Sequence, residues 1–188
     1  MKYSDAAARL AEYREQIAAV RERMRATLAA AEPQEVTDYE FRAADGLVRL
    51  SQLFGEHEHL IVVHNMGTSC PACTMWADGY NGIHHHVSSR AAFVVSSPDP
   101  PDVQQKFAAA RGWQFPMVSH AGSTFAADMG FRGAKGWLPG VSVFQRRGSK
   151  IVRVSDASFS PGDDFCTVWH LFDLLPGGAG DWWPKQRY

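Results

Sequence analysis

Cysteine is scarce in this chain: 188 residues hold three, Cys70, Cys73 and Cys166. That number is too small and too uneven for the disulfide framework of a secreted small domain, so a close cysteine pair points to catalysis or metal binding. Net charge is scarce as well, at −1. No excess of one sign suggests a broad nucleic-acid or membrane-binding surface. No apolar run reaches the roughly 18 residues that a membrane-spanning helix needs. Met1-Lys2-Tyr3-Ser4-Asp5 leads into a charged helix rather than the apolar core of a signal peptide. The expectation is a cytoplasmic protein with no nucleic-acid and no membrane partner. Apolar side chains are abundant, at 45%, enough for a sizeable core in one main domain.

The spacing predicts a long helix over residues 4–31, capped by Ser4 or Asp5 and stopped before Pro33. Leu10, Tyr13, Ile17, Val20, Met24 and Leu28 form one stripe, three and four apart, with Glu and Arg elsewhere. Such a stripe packs along its own domain or, since the spacing is close to heptad, forms the seam of a homodimer. Val36 to Leu50 reads as a hairpin turning at Asp45-Gly46, followed by a helical turn at Ser51–Phe54. Leu60 to His64 is apolar without alternation, as buried parallel strands are. A helix is expected over 71–87, a strand over 91–95 and a helix from Pro100-Pro101 to about Ala110. A short extended piece follows at 115–118, a helical turn at 125–129, strands at 141–144 and 150–154, and a last helix over 163–175. The order predicts an α/β fold, a mixed sheet sandwiched by helices. Three regions result: the helix 1–33, the α/β domain 34–175, and a Gly-, Trp- and Pro-rich tail 176–188 held by docking.

Cys70-Pro71-Ala72-Cys73 stands at the junction of the buried strand and the next helix. In such sheets ligands meet the carboxyl ends of strands. A cysteine at a helix N-terminus faces unpaired backbone N–H groups and the positive end of the helix dipole, both of which favour its thiolate. Pro71 suits the first helical turn, where its missing N–H has no partner to lose. Cys73, one turn on, can close a disulfide on Cys70. Cys70 is therefore the candidate nucleophile and Cys73 the resolving thiol. The competing readings are a metal-bound pair and an inert one.

Leu138-Pro139-Gly140-Val141-Ser142-Val143-Phe144, followed by Arg147-Gly148-Ser149-Lys150, resembles the thioredoxin segment in which a cis-proline opens a strand. Arg111-Gly112-Trp113-Gln114-Phe115-Pro116 and Ala121-Gly122-Ser123 resemble the peroxiredoxin side of that superfamily. Over nearly its whole length the chain is similar to the bacterial thioredoxin-like family of unknown function DUF899. The motifs are Phe41 to Gly46, Cys70 to Cys73 with Trp76-Ala77-Asp78, and Leu138 to Phe144. The resemblance implies a thioredoxin-like fold with an extra N-terminal helix, a cis Pro139 beside the cysteines, and no established substrate. Two departures stand out. Ser69 occupies the position where thioredoxins have Trp, and Gly67 the position where peroxiredoxins have Thr, with Thr68 one residue late.

Around the pair, Pro139, Pro71, Trp76 and Ser69 are candidates for shaping a substrate groove, although Trp76 equally suits the core. His64, on the strand leading to Cys70, is a candidate for tuning the thiolates or a satisfied core histidine. Asp78 is a candidate cap or proton shuttle for Cys73. His84-His85-His86 invites a metal, but successive helical side chains diverge by about 100°, so a solvated helix end is the alternative. Cys166 reads as a small buried hydrophobe. The leading function is a thiol–disulfide oxidoreductase with a disulfide substrate and a thiol reductant, needing no cofactor. The alternatives are a peroxide reductase and a zinc- or copper-binding protein using both cysteines and a histidine.

Overall fold

The computed structural model describes all residues 1–188. The chain divides into two compact units, Met1–Pro33 and Gln34–Tyr188. The first is one helix, α1 (Tyr3–Ala30), with Lys2 at its N-cap and no side-chain cap, so neither Ser4 nor Asp5 serves there. No residue of α1 is buried, and its stripe from Leu10 to Leu28 is 43–60% exposed.

The second unit begins with β1 (Gln34–Val36) and the hairpin β2 (Glu40–Ala43) and β3 (Gly46–Arg49), which turns at Asp45 as the sequence predicts. Then follow α2 (Leu50–Leu53), β4 (His59–His64), α3 (Pro71–Ser88), β5 (Ala92–Ser97), α4 (Pro101–Arg111), β6 (Met117–Ser119) and α5 (Phe125–Asp128). A small hairpin, β7 (Arg132–Gly133) and β8 (Gly136–Trp137), precedes the long strands β9 (Gly140–Arg147) and β10 (Lys150–Ser158); α6 (Thr167–Phe172) comes last. Gly112 caps α4 in the left-handed region, φ 68°, where a Cβ would be strained. The expected last helix shrinks from 163–175 to α6, because Asp163 instead accepts the N–H groups of Ser160 and Phe165 in a turn.

Eight strands form one sheet in the order β1-β10-β9-β4-β5-β6-β2-β3. β4, β5 and β6 run parallel, and β9 lies antiparallel beside β4. The central strands are buried on both faces, which explains their unalternating sequences. Leu60, Val62, Val94 and Phe144 face one core with Leu50, Phe54, Phe125, Met129 and Phe131. Val63, Phe93, Val95 and Val141 face the other, with Ala72, Trp76 and Ala77 of α3 and Trp169 of α6. The fold is thus α/β and thioredoxin-like. The expected cis bond at Pro139 is overturned as well: every peptide bond is trans, including Leu138–Pro139. Pro139 enters β9 in the ordinary trans geometry, and its carbonyl already accepts the N–H of Phe159 at 3.0 Å.

Gly140 is needed by packing. A Cβ there would lie 2.1 Å from the ring of Phe131 and 2.5 Å from the carbonyl of Ala157. The Phe131 ring uses that gap to stack on His64, 3.9 Å between centroids. Two buried histidines interrupt this apolar core. His64 shares a 2.9 Å hydrogen bond with Ser142, and His120 shares one of 2.9 Å with Ser96. Each is 2% exposed and has one ring nitrogen without a partner. Burial holds both neutral, lowering His64 to about 3 and His120 to about 4.

Two outcomes are expected. Gly140→Ala forces the Phe131 ring off the sheet and should cost about 1–3 kcal/mol, the range of overpacked cores; urea unfolding measures it, and a loss under about 0.5 kcal/mol contradicts the packing. The histidines make stability acid-sensitive. Their folded-state values lie below the unfolded value near 6.5, so their contribution is complete above pH ~6.5 and is lost on acidification, towards about 4 for His120 and about 3 for His64. Each contributes a slope approaching 1.4 kcal/mol per pH unit in that window. Urea titrations at several pH values should show this slope, and His120→Gln should reduce it.

Candidate functional site

β4 delivers the chain to the cysteine loop at the carboxyl end of the sheet. Past His64 the pairing with β5 persists for one residue, the N–H of Asn65 donating to Ser96 at 2.8 Å. The Asn65 side chain then organises the turn. Its Oδ1 accepts the Gly67 N–H at 2.8 Å, and its Nδ2 reaches the carbonyl of Cys73 at 3.4 Å. Gly67 has φ 103°, and a Cβ on it would lie 2.9 Å from Oδ2 of Asp99. That same Oδ2 accepts the N–H of Thr68 at 2.7 Å. A side chain at 67 would therefore displace the Asp99 carboxylate from the loop, which gives the glycine at this position a physical reason.

Cys70 is the N-cap of α3, with extended backbone, and Pro71 is the first helical residue. The Cys70 sulfur accepts the Cys73 N–H at 3.1 Å. The Cys70 carbonyl accepts both the N–H and the hydroxyl of Thr74, each at 3.0 Å, which fixes the first turn. Cys70 is half-buried and Cys73 is buried; both are free thiols. The Cys70 thiol is lowered to about 7, first by the hydrogen bond from the Cys73 thiol and then by the N–H groups of Cys73 and Ala72, against an opposing effect of burial. Cys73 is pushed far upward, first because its thiol donates to Cys70, then by burial and by the negative charge on its neighbour. The proton is thus held more firmly on Cys73, and of the two thiols Cys70 is the one that ionises first.

The other residues singled out from the sequence divide into near and far. Pro139 is near: Gly140 pairs with His64 across the sheet, so Pro139 enters beside the chain leaving β4. Ser69 is exposed on the loop immediately before Cys70. Trp76 is 3% exposed, stacks on Phe159 at 5.5 Å and donates its indole N–H to Asp163 at 3.3 Å, so it supports the helix from the core. His64 turns its ring into the core on the other face of the sheet from α3, between Phe125 and Phe131. Asp78 is held by Arg111 through two N–H donors and by the Trp113 indole at 2.8 Å. His84 leans on the rings of Phe93 and Phe115, while His85 and His86 are exposed. Cys166 is buried in the same apolar cluster as Trp76. No three His, Cys, Asp or Glu side chains converge as metal ligands, so the metal-binding alternative lacks a third donor.

Sequence reasoning missed Asn65, Asp99, Arg111 and Gln186. Asp99 was within reach, since it follows β5 at the same end of the sheet as Cys70. Gln186 had no signal; its side-chain Nε2 donates to the Thr68 carbonyl at 2.8 Å from 118 residues away. A cleft of about 270 Å³ beside it is lined by Thr68, Phe107, Ala110, Arg111, Gln186 and Arg187. A larger cleft of about 740 Å³ lies by the β2–β3 hairpin and includes no residue of the cysteine loop.

No helix is long and apolar enough to cross a membrane. No curated protein matches the chain. Among solved structures it is similar to the peroxidoxin BcpB of Mycobacterium tuberculosis, with 29% identity over 68% of this chain and 86% of that one, TM-score 0.54. It is also similar to the reduced Prx3 of Vibrio vulnificus in complex with hydrogen peroxide, with 12% identity, 71% and 90% coverage and TM-score 0.57. A peroxiredoxin Q mutant of Xanthomonas campestris aligns at 16% identity, covering 63% and 78%, with TM-score 0.53. Likeness at such low identity shows the fold, here that of the thioredoxin and peroxiredoxin group. The family model described as bacterial protein of unknown function (DUF899) matches residues 6–187, and the chain belongs to that family.

Proposed function

We propose that this protein is a thiol–disulfide oxidoreductase in which Cys70 is the nucleophile and Cys73 the resolving thiol. The observation that carries the reading is the Cys70 sulfur at the N-terminus of α3, accepting the Cys73 N–H at 3.1 Å with its thiol lowered to about 7. Near neutral pH a large share of Cys70 is then thiolate, the reactive species.

The cycle follows from the two thiols. The Cys70 thiolate attacks one sulfur of a substrate disulfide; a mixed disulfide forms and the other substrate sulfur leaves as a thiolate that takes a proton from solvent. Cys70 then carries no charge, so the anion that had raised Cys73 is gone. Cys73 loses its proton and attacks the Cys70 sulfur. The internal disulfide closes and the second substrate thiol leaves. Two electrons and two protons have passed to the substrate. A thiol reductant, of thioredoxin type or a small thiol, restores the pair.

A second reading is favoured by the peroxiredoxin structures the fold resembles. There the Cys70 thiolate attacks a peroxide O–O bond, giving a sulfenic acid and, with one proton, an alcohol or water. Cys73 then displaces the sulfenic oxygen as water and forms the same disulfide. Peroxide consumption coupled to a dithiol reductant favours this second reading, and insulin reduction favours the first.

Two tests bear on the nucleophile. Cys73→Ser should accumulate a one-to-one mixed disulfide with an oxidised small thiol on Cys70, while Cys70→Ser accumulates none; absence of the adduct sinks the assignment. Alkylation of Cys70 should reach half its limiting rate near pH 7, because the thiol is converted to thiolate as pH rises through its lowered value. A midpoint near 8.5, that of a free cysteine, contradicts the activation described.

A further inference from the structure

Thr68, two residues before Cys70, has both of its backbone polar groups taken by side chains. Its N–H donates to Asp99 at 2.7 Å, and its carbonyl accepts Nε2 of Gln186 at 2.8 Å. Around it the turn is closed by one backbone bond, from the N–H of Cys70 to the carbonyl of Gly67 at 3.1 Å. Gly67, at φ 103°, has wide conformational freedom. The course of the loop is therefore set by side chains, by Asn65 at Gly67 and by Asp99 and Gln186 on the two sides of Thr68.

Gln186 is itself anchored to the helix it serves. Its carbonyl accepts Nη1 of Arg111 at 3.1 Å. Arg111 grips Asp78, and Asp78 lies on α3, whose N-terminus holds Cys70. The hydrogen bonds form a circuit: from α3 through Arg111 to the C-terminal tail, across to Thr68, and back to the start of α3. The Gln186 side chain remains in place although its Oε1 is buried without a partner. An apolar side chain there would bury the same surface without that cost. What it would lose is the bond to Thr68.

We propose that Gln186 is a positioning residue for Cys70, and that the tail carrying it acts as a strap holding the Cys70 sulfur over the first turn of α3. The proposal rests on the reading of Cys70 as the nucleophile. Without the amide donor the Thr68 carbonyl turns to water, the loop from Gly67 to Ser69 relaxes, and the sulfur drifts from the donors of Ala72 and Cys73. Asp78 then acts as the anchor of the strap.

The test compares the full-length reduced protein with Gln186→Met, which keeps the shape and removes the donor, and with Gln186→Glu, whose carboxylate faces the Thr68 carbonyl. The readout is the pH dependence of Cys70 alkylation by iodoacetamide, followed by mass spectrometry, beside the thermal midpoint. Both variants should raise the alkylation midpoint by about one pH unit, a roughly tenfold loss of thiolate on the acid side. A tail that only stabilises the fold would lower the thermal midpoint and leave the alkylation midpoint unmoved, which overturns the proposal. If Gln186→Met fails to fold, Gln186→Glu decides alone. A wild-type midpoint near that of a free thiol sinks the nucleophile reading and the strap with it. A wild-type midpoint near pH 7 with unmoved variants sinks the strap alone.

Discussion

The sulfur of Cys70 sits where the first turn of α3 offers donors and lacks acceptors. Helix N-termini leave their first N–H groups without intrahelical partners, and a thiolate is a good acceptor for them. Here Cys73 supplies both its backbone N–H and its thiol hydrogen to that sulfur. The two cysteines thereby share one proton unequally, and the proposed division into attacking and resolving thiols rests on that asymmetry. Other features of the site serve this contact. Pro71 gives up no hydrogen bond at the first helical position, Thr74 fixes the turn through the Cys70 carbonyl, and Asn65 reaches the carbonyl of Cys73.

The sheet supplies the rigid platform. Parallel strands β4, β5 and β6 end together, so Asn65, Asp99 and the loop after β6 gather at one edge with Cys70. Both faces of β4 are packed, and a one-residue slip would exchange His64 with Val63. The register is therefore strongly fixed, and so is the point where the strand releases the chain. The face away from α3 contains the histidines that burial keeps neutral. Gly140 and Gly67 each leave room that a neighbour fills, the Phe131 ring in one case and the Asp99 carboxylate in the other.

Much of this was legible in the residues. The unalternating run Leu60–Val63 marks a strand buried on both faces, Asp45-Gly46 marks the hairpin, and the CxxC falls at the strand-to-helix junction expected of it. What escaped has identifiable causes. β7 and β8 are two residues each, too short to carry a period. The proline at 139 invited a cis bond by resemblance, but the ladder from Gly140 onward accommodates a trans one. His64 looked close to Cys70 in sequence, yet it shares a face with Leu60 and Val62, and the alternation carries its ring to the other side. Trp76 and Asp78 lie on α3 after the cysteines, but Trp76 packs in the core and Asp78 pairs with Arg111 and the Trp113 indole. Asp99 and Gln186 act through contacts distant in sequence, and side-chain periodicity gives no sign of them.

A pair in which Cys70 is held as a thiolate has its reduced form stabilised, and this raises its reduction potential. The most direct measurement is the equilibrium potential of the Cys70–Cys73 couple in glutathione or dithiothreitol buffers. The expected result is a reversible internal disulfide with a potential between about −270 and −120 mV, the span of dithiol oxidoreductases. A pair that forms no internal disulfide, or one more reducing than about −300 mV as structural bridges are, would contradict it.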